Sequence, residues 1–376
     1  MDRRTADAYE RGAARWIARR GPSAIGDGRL AAFLGQVPRG GRVADLGCGP
    51  GWYAAAIRRS GRRVVAVDLN AAMLAATGRR AARVARVRGD LATLPLAHQS
   101  LDGAWAMNCY CHLPRRHLAL ALADLHAALR VGAPLAMTLP RLDAVRASAA
   151  ARRDGECERR FATYSLRGRL FTAVTPARAT ALLVGAGFTA VRARPLPDDF
   201  WLELTARRAR TLPDFVRPGL RLLICGLNPS LYSADAGLPF ARLGNRFWPA
   251  ATAAGLVTRP RDVRAALRRG VGFTDLVKRA SAGAGALSAR EYARGVERIA
   301  TLARLYRPRA ICFVGLDGWR AAVDRRAQPG WIAGGFAGVD AYLMPSTSGR
   351  NAAASLPVLV EHLRRARTGN PSVESV

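Results

Sequence analysis

Apolar residues in this chain come as short runs separated by amphipathic stretches, and the two kinds alternate. In the first half the apolar runs are 43–48, 64–69, 85–89, 103–108 and 135–140, and ALADLHAALR at 121–130 has helical spacing between the last two. Short apolar runs alternating with helices predict a parallel sheet wrapped by helices. The stretch 143–160 is charged and alanine-rich without a clear breaker, so a helix or a surface excursion is expected there. From Thr175, TPARATALLVGAGF predicts a helix ending at glycine, and TAVRARPL with FWLELTARR predicts two antiparallel strands that finish the unit.

The pattern breaks across TARRARTLPDFVRPGL, where arginine, proline and lost periodicity coincide, and then restarts. Strands are expected at 221–225, 270–277, 310–315 and 341–345, with a helix from about Asn245 and another over 286–306 that Ser288 can cap. AAASLPVLVEHLRRA reads as a terminal helix containing one proline. A length of 376 residues fits two domains. The expected boundaries are 1–207, a linker at 208–216, a second domain at 217–368 and a disordered tail at 369–376.

Charge adds a partner class. Lys+Arg number 59 against 27 Asp+Glu, a formal net charge of +32, which favours a polyanion. The excess is almost all arginine, as arginine-rich coding also gives, and both halves are basic, so charge alone does not locate the polyanion. The single lysine, Lys278, follows an expected strand and is assigned to the surface or to a phosphate. The cysteines at 48, 109, 111, 157, 225 and 312 form no CxxC pair, so no metal, iron–sulfur cluster or disulfide framework is expected. Cys109, Cys111 and His112 lie close together but lack a fourth ligand, and packing is the reading favoured for them. The charged N-terminus and the absence of any apolar run of spanning length lead to an expectation of a soluble, cytoplasmic, nucleoid-associated protein with no membrane partner.

In the first half, Asp45-Leu-Gly47-Cys-Gly49-Pro-Gly51 follows an apolar strand and precedes WYAAAIRRSG, and Asp68 ends the next strand. Glycines there permit a tight turn with the backbone close to a ligand. An acid at the second strand end is placed to accept the hydroxyls of a ribose. The set resembles class I S-adenosylmethionine-dependent methyltransferases across roughly residues 8–205. That resemblance implies that Asp45, Gly47, Gly49 and Gly51 contact the amino-acid end of the cofactor, Asp68 its ribose, and Asp90 with Leu91 its adenine. The loop Asn108 to Pro114 matches neither the amino-methylating nor the cytosine-C5 signatures of DNA enzymes, so the methyl acceptor is left unknown.

In the second half, GLNPSLYSADAGLPFARLGNRFW runs from Gly226 to Trp248, and the Asn228-Pro229 pair must end its strand because proline has no N–H for the ladder. A carboxamide at a strand end can orient a water but cannot act as a strong base at neutral pH. With MPSTSGRNA at 344–352, this stretch resembles the mismatch-specific uracil/thymine DNA glycosylases of the uracil-DNA glycosylase superfamily, over roughly Leu212 to the C-terminus. The resemblance implies Asn228 as the water-orienting catalytic residue and Phe247 as the stacking ring. It further implies that Leu227 and Ser233 line the base site, and that Ser348, Gly349 and Arg350 wedge duplex DNA carrying a G·U or G·T mismatch, with no glycosylase cofactor. The fold class expected is α/β in two domains, a Rossmann-like methyltransferase sheet followed by a glycosylase-like α/β/α domain. The competing readings are a damage-recognition module that directs the methyltransferase, and a methyltransferase acting on RNA, protein or a small molecule. With one lysine to form a Schiff base, a monofunctional, water-directed glycosylase is expected.

Overall fold

The computed structural model describes residues 1–18, 28–145, 149–160, 168–197 and 200–369. It divides into two compact units, Met1–Ala209 and Arg210–Val376. From residue 370 the expected disordered tail lies outside the described residues.

The strands of the first unit are β1 (Arg42–Leu46), β2 (Arg63–Asp68), β3 (Ala85–Arg88), β4 (Gly103–Ala106), β5 (Pro134–Pro140), β6 (Glu156–Arg160), β7 (Leu170–Val174), β8 (Phe188–Pro195) and β9 (Trp201–Arg208). Seven make one sheet in the order β3-β2-β1-β4-β5-β9-β8. β1 to β5 run parallel, and β8 and β9 complete the sheet antiparallel. Every residue of β4 and β5 is buried, as helices on both faces of a parallel sheet require. β9 alternates, turning Leu202, Leu204, Ala206 and Arg208 inward.

Within the stretch 143–160, residues 149–160 form a helix and a strand, not one continuous helix, and 146–148 lie outside the described residues. A short helix, Ala149–Asp154, stops at Gly155, whose φ of 71° is a left-handed position that glycine takes without strain. β6 then pairs antiparallel with β7 as a separate two-stranded sheet. Buried Glu156 is held by Arg178 Nε at 2.8 Å. β7 was not anticipated, because LFTAV is wholly buried and too short to show a period.

The second unit contains β10 (Leu222–Gly226), β11 (Val271–Asp275), β12 (Ala310–Val314), β13 (Gly330–Trp331) and β14 (Asp340–Met344), in the order β11-β10-β12-β14-β13. All are parallel except edge strand β13. Helices Phe247–Ala253 and Leu356–Thr368 share one core with the sheet through Phe247, Trp248, Leu359 and Leu363. Pro357 occupies the first turn of its helix, where its missing N–H costs nothing, so the helix starts there and is not interrupted. Helix Ala289–Tyr306 carries the capping box of Ser288 and Glu291.

Residues 208–216 are not a linker. Arg208 ends β9, Leu212, Asp214 and Val216 are buried, and Phe215 exchanges backbone hydrogen bonds with Phe273 at 2.8 and 3.0 Å. Proline and arginine there gave a linker-like composition, while the burial of Asp214 against two cations fixes the segment to its unit.

In each unit the first strand of the sheet has its successor on one side and a later strand on the other: β1 lies between β2 and β4, and β10 between β11 and β12. At such a reversal the connections diverge and leave a crevice outside the carboxyl ends of the strands. Both glycine-rich Gly47–Gly51 and Asn228 sit there.

Candidate functional site

In the first unit the crevice is a cavity of about 800 Å³, whose walls include Gly47, Gly49, Asp68, Leu91, Asn108 and His112. Gly47, Gly49 and Gly51 have φ of 61°, 53° and 83°. A side chain at Gly47 would collide with the Cβ of Cys109, and one at Gly51 would lie 2.7 Å from Thr77 Oγ1. The motif therefore brings bare backbone to the cavity at Gly47 and Gly49, whereas Gly51 lies off the wall and makes room for Thr77. Asp68 accepts from the N–H of Gly49 at 2.8 Å and of Asn70 at 2.9 Å, and burial raises its pKa. Asp45 is 2% exposed, and burial pushes its carboxyl up to about 7. Its Oδ2 is buried without a hydrogen-bond partner. Asp45 does not line the cavity, so what the cavity offers a cationic ligand with an amino-acid end, as S-adenosylmethionine has, is the bare backbone at Gly47 and Gly49 and the carboxyl of Asp68. Asp90 does not line the cavity: its carboxylate caps Ala92 N–H at 2.8 Å and pairs with the amino terminus, leaving Leu91 on the wall.

Cys109 and His112 line the cavity, and Cys111 beside them is buried. His112 donates from Nδ1 to the Leu170 carbonyl at 2.8 Å, so Nε2 is the acceptor for the Tyr9 hydroxyl at 2.8 Å. Burial lowers the imidazole to about 4 and raises Tyr9 to about 12. Among the described residues no group of three or more His, Cys, Asp or Glu is arranged to hold a metal.

In the second unit the crevice is a cleft of about 730 Å³. Asn228 Nδ2 lies 3.0 Å from the carbonyl of Arg279 and 2.8 Å from Ser281 Oγ, whose own proton goes to Gly283 O at 2.8 Å. A carbonyl only accepts, so the amide nitrogen must face it, and the orientation of the carboxamide is thereby decided. Its Oδ1 takes no protein hydrogen bond among the described residues and belongs to the cleft wall. Leu227 lines the same wall, with its carbonyl committed to Val277 N–H at 2.9 Å. Ser233 is buried there, and its hydroxyl accepts from Ala241 N–H at 3.1 Å while meeting Ser230 Oγ at 3.0 Å.

The stacking assignment to Phe247 is corrected. Phe247 is completely buried and packs against Trp248 and Phe273. Phe240 lies over it, with ring centroids 4.1 Å apart and planes 17° from parallel, and it is Phe240 that reaches the cleft. Phe240 has φ of 54°, a costly conformation for a bulky residue that marks a backbone held for its position. The Ser233 hydroxyl on Ala241 helps hold that turn.

Ser348 and Arg350 line the cleft at its rim, with the exposed Gly349 between them. The sequence reading missed what holds them: Arg246 donates to the carbonyls of Ser348 (3.0 Å), Asn351 (2.6 Å) and Ala354. A Cβ on Gly349 would lie 2.8 Å from Gly244 O, so the rim loop touches backbone that only glycine allows. Arg350 is exposed at the tip.

Lys278 is also corrected. It folds inward to Asp214 at 3.0 Å and the Leu212 carbonyl, and its side chain is 15% exposed. Burial lowers its pKa against the pull of Asp214. Burial would raise Asp214, but Arg298 at 2.7 Å and Lys278 hold it below the usual carboxylate range. Asp275, next to this pair and on the cleft wall, is pushed up to about 6, chiefly by burial.

Residues 213–366 match the family model of the uracil DNA glycosylase superfamily, and residues 43–132 match a methyltransferase domain. The chain joins a methyltransferase domain to a uracil DNA glycosylase superfamily domain. Among solved structures it is similar to an S-adenosylmethionine-dependent methyltransferase from Mesorhizobium loti, at 22% identity over 48% of this chain and 99% of that one, TM-score 0.42. A second is the 1,6-didemethyltoxoflavin-N1-methyltransferase of Burkholderia thailandensis with bound 1,6-didemethyltoxoflavin and S-adenosylhomocysteine, at 24% identity over 54% of this chain and 85% of that one, TM-score 0.40.

Proposed function

We propose that the glycosylase domain is a monofunctional enzyme that hydrolyses the bond between deoxyribose and uracil mispaired with guanine in duplex DNA, with thymine or cytosine-derived bases in the same position as slower substrates. The observation that carries this is Asn228, whose amide nitrogen is tied to Arg279 and Ser281 so that Oδ1 is left for the cleft. A base can enter only after extrusion from the stack. It then lies on the Phe240 ring, and Arg350 on the rim fills the gap left behind. Asn228 Oδ1 accepts from a water and turns its oxygen toward C1′. Bond cleavage leaves positive charge on the sugar and negative charge on the base, so the water needs little help from a base. Lys278, the single lysine, is committed to Asp214, which leaves no lysine amine for a Schiff base in the cleft.

For the methyltransferase domain we propose S-adenosylmethionine as donor, held along the backbone at Gly47 and Gly49 and at Asp68. When bound, it supplies an electrophilic methyl group on a sulfonium. The acceptor enters the cavity beside Asn108 and Tyr9 and is unassigned. Such a protein works in the cytoplasm, on the nucleoid.

The full-length protein, incubated with duplexes bearing one G·U, G·T or A·U pair, is expected to release base fastest from G·U and to leave strands intact until alkali is added. Absence of abasic sites in all three duplexes overturns the reading.

A further inference from the structure

Gly226, the last residue of β10, marks where two side chains converge. A Cβ there would lie 2.5 Å from Asp275 Oδ1 and 3.4 Å from Phe240 Cζ. The carboxyl of Asp275, whose residue pairs with Gly226 in the sheet, therefore stands near the edge of the ring on which an extruded base would rest, and Gly226 is two residues before Asn228. Leu276 N–H to Gly226 O (2.8 Å) and Val277 N–H to Leu227 O (2.9 Å) lock the two segments together. Among the described residues no protein donor bonds either carboxyl oxygen of Asp275, although it is only 9% exposed.

The charges facing it come from three elements. Lys278 on its own segment and Arg298 from the helix Ala289–Tyr306 both pair with Asp214, the third group, and Arg298 reaches Asp275 only at its backbone carbonyl. Farther out on the cleft wall lie Asp317, Arg242, Arg320 and Arg350. Two buried carboxylates thus share two cations, and the cations are spent on Asp214.

Building on the glycosylase reading, we propose that Asp275 reads the extruded base as a neutral carboxyl group, and that base release runs in this protonated form. A neutral carboxyl offers one donor and one acceptor side by side, matching the N3–H and a carbonyl of uracil; an ionised one offers only acceptors. In the reaction the C1′–N1 electron pair passes to the base and water adds to C1′, losing its proton to solvent. The Asp275 proton stays on its oxygen and stabilises the departing anion as a hydrogen bond. An ionised Asp275 would repel that anion at the place where stabilisation matters most.

The test is single-turnover excision from a G·U duplex between pH 5 and 9, with Asp275→Asn alongside. The wild type should lose activity about tenfold per unit above its break near pH 6. Asp275→Asn, which keeps donor and acceptor at every pH, should be flat and faster than wild type at pH 8. Needing no variant, wild-type affinity for a duplex carrying uncleavable 2′-fluoro-deoxyuridine should rise as pH falls from 8 to 5.5, relative to a duplex carrying an abasic analogue. An alkaline limb retained in Asp275→Asn, or pH-independent relative affinity, overturns the role of Asp275 and leaves the glycosylase intact. No release by the wild type at any pH overturns both.

Discussion

The two domains build their sites at the same topological place and equip them in opposite ways. Outside β1 the chain strips side chains away: Gly47 and Gly49, both at positive φ, line the cavity as bare backbone beside the buried acid Asp68. Outside β10 the residues Asn228, Pro229 and Ser230 take no positive φ, and side chains do the work. On the proposed functions, the difference follows from the ligand classes. A flexible charged cofactor is wrapped by backbone, whereas a flat extruded base needs a ring beneath it and a polar edge beside it.

The comparison is broken most severely at Asn228. Asn228→Ala should lower base release roughly 10²- to 10⁴-fold, because water positioning is lost. Binding to a mismatched duplex should stay nearly unchanged, since the rim loop is untouched. Near-full excision by the variant would show that the water is held elsewhere.

Next in size is a paired test at the aromatic stack. Phe240→Ala should weaken excision roughly ten- to hundredfold, since base–ring stacking contributes about 1–3 kcal/mol, while lowering the melting temperature less than Phe247→Ala does because its ring is only partly buried. Phe247→Ala should instead destabilise the domain by about 3–5 kcal/mol through a core cavity, with the loss of activity following the loss of folded protein. Reversed results would return the stacking role to Phe247.

This pair also shows what the sequence hides. The parallel sheets, the glycine motif, Asp68 and Asn228 were legible because each depends on local chemistry: a period, a turn or a strand end. Which of two phenylalanines seven residues apart faces the cleft depends on how the loop at Phe240 folds over the helix at Phe247. The Asp214 ion pairs are hidden for the same reason, since Lys278 and Arg298 lie 64 and 84 residues away in sequence. Arg246 looked like part of a helix start, and only the folded rim reveals the three carbonyls it holds.

In the first domain the expected effect is smaller. Asp68→Ala removes an acceptor that also orders Gly49 and Asn70, and a hydrogen bond to a charged group is worth about 1.5–3 kcal/mol. Donor affinity by calorimetry should fall about tenfold or more, while G·U excision stays at the wild-type rate. Unchanged donor affinity would remove the ribose role from Asp68, and a parallel loss of excision would show that the two domains are energetically coupled.

The smallest expected effect sharpens the contrast between wrapping and wedging. Arg350 is exposed at the tip of a loop whose shape Arg246 and Gly349 determine, so truncating it leaves the loop in place and removes only what projects beyond it. If the guanidinium fills the space vacated by the extruded base, its value lies in holding a stack open, which a single strand does not require. Arg350→Ala should therefore slow excision several-fold on duplex substrate and leave single-strand excision nearly unchanged. A phosphate contact would behave otherwise: both substrates would lose affinity together, and the salt dependence of duplex binding would become shallower by about one counterion. Measuring excision on both substrates across a salt series separates the two roles, and equal losses with a shallower slope would make Arg350 part of the basic surface.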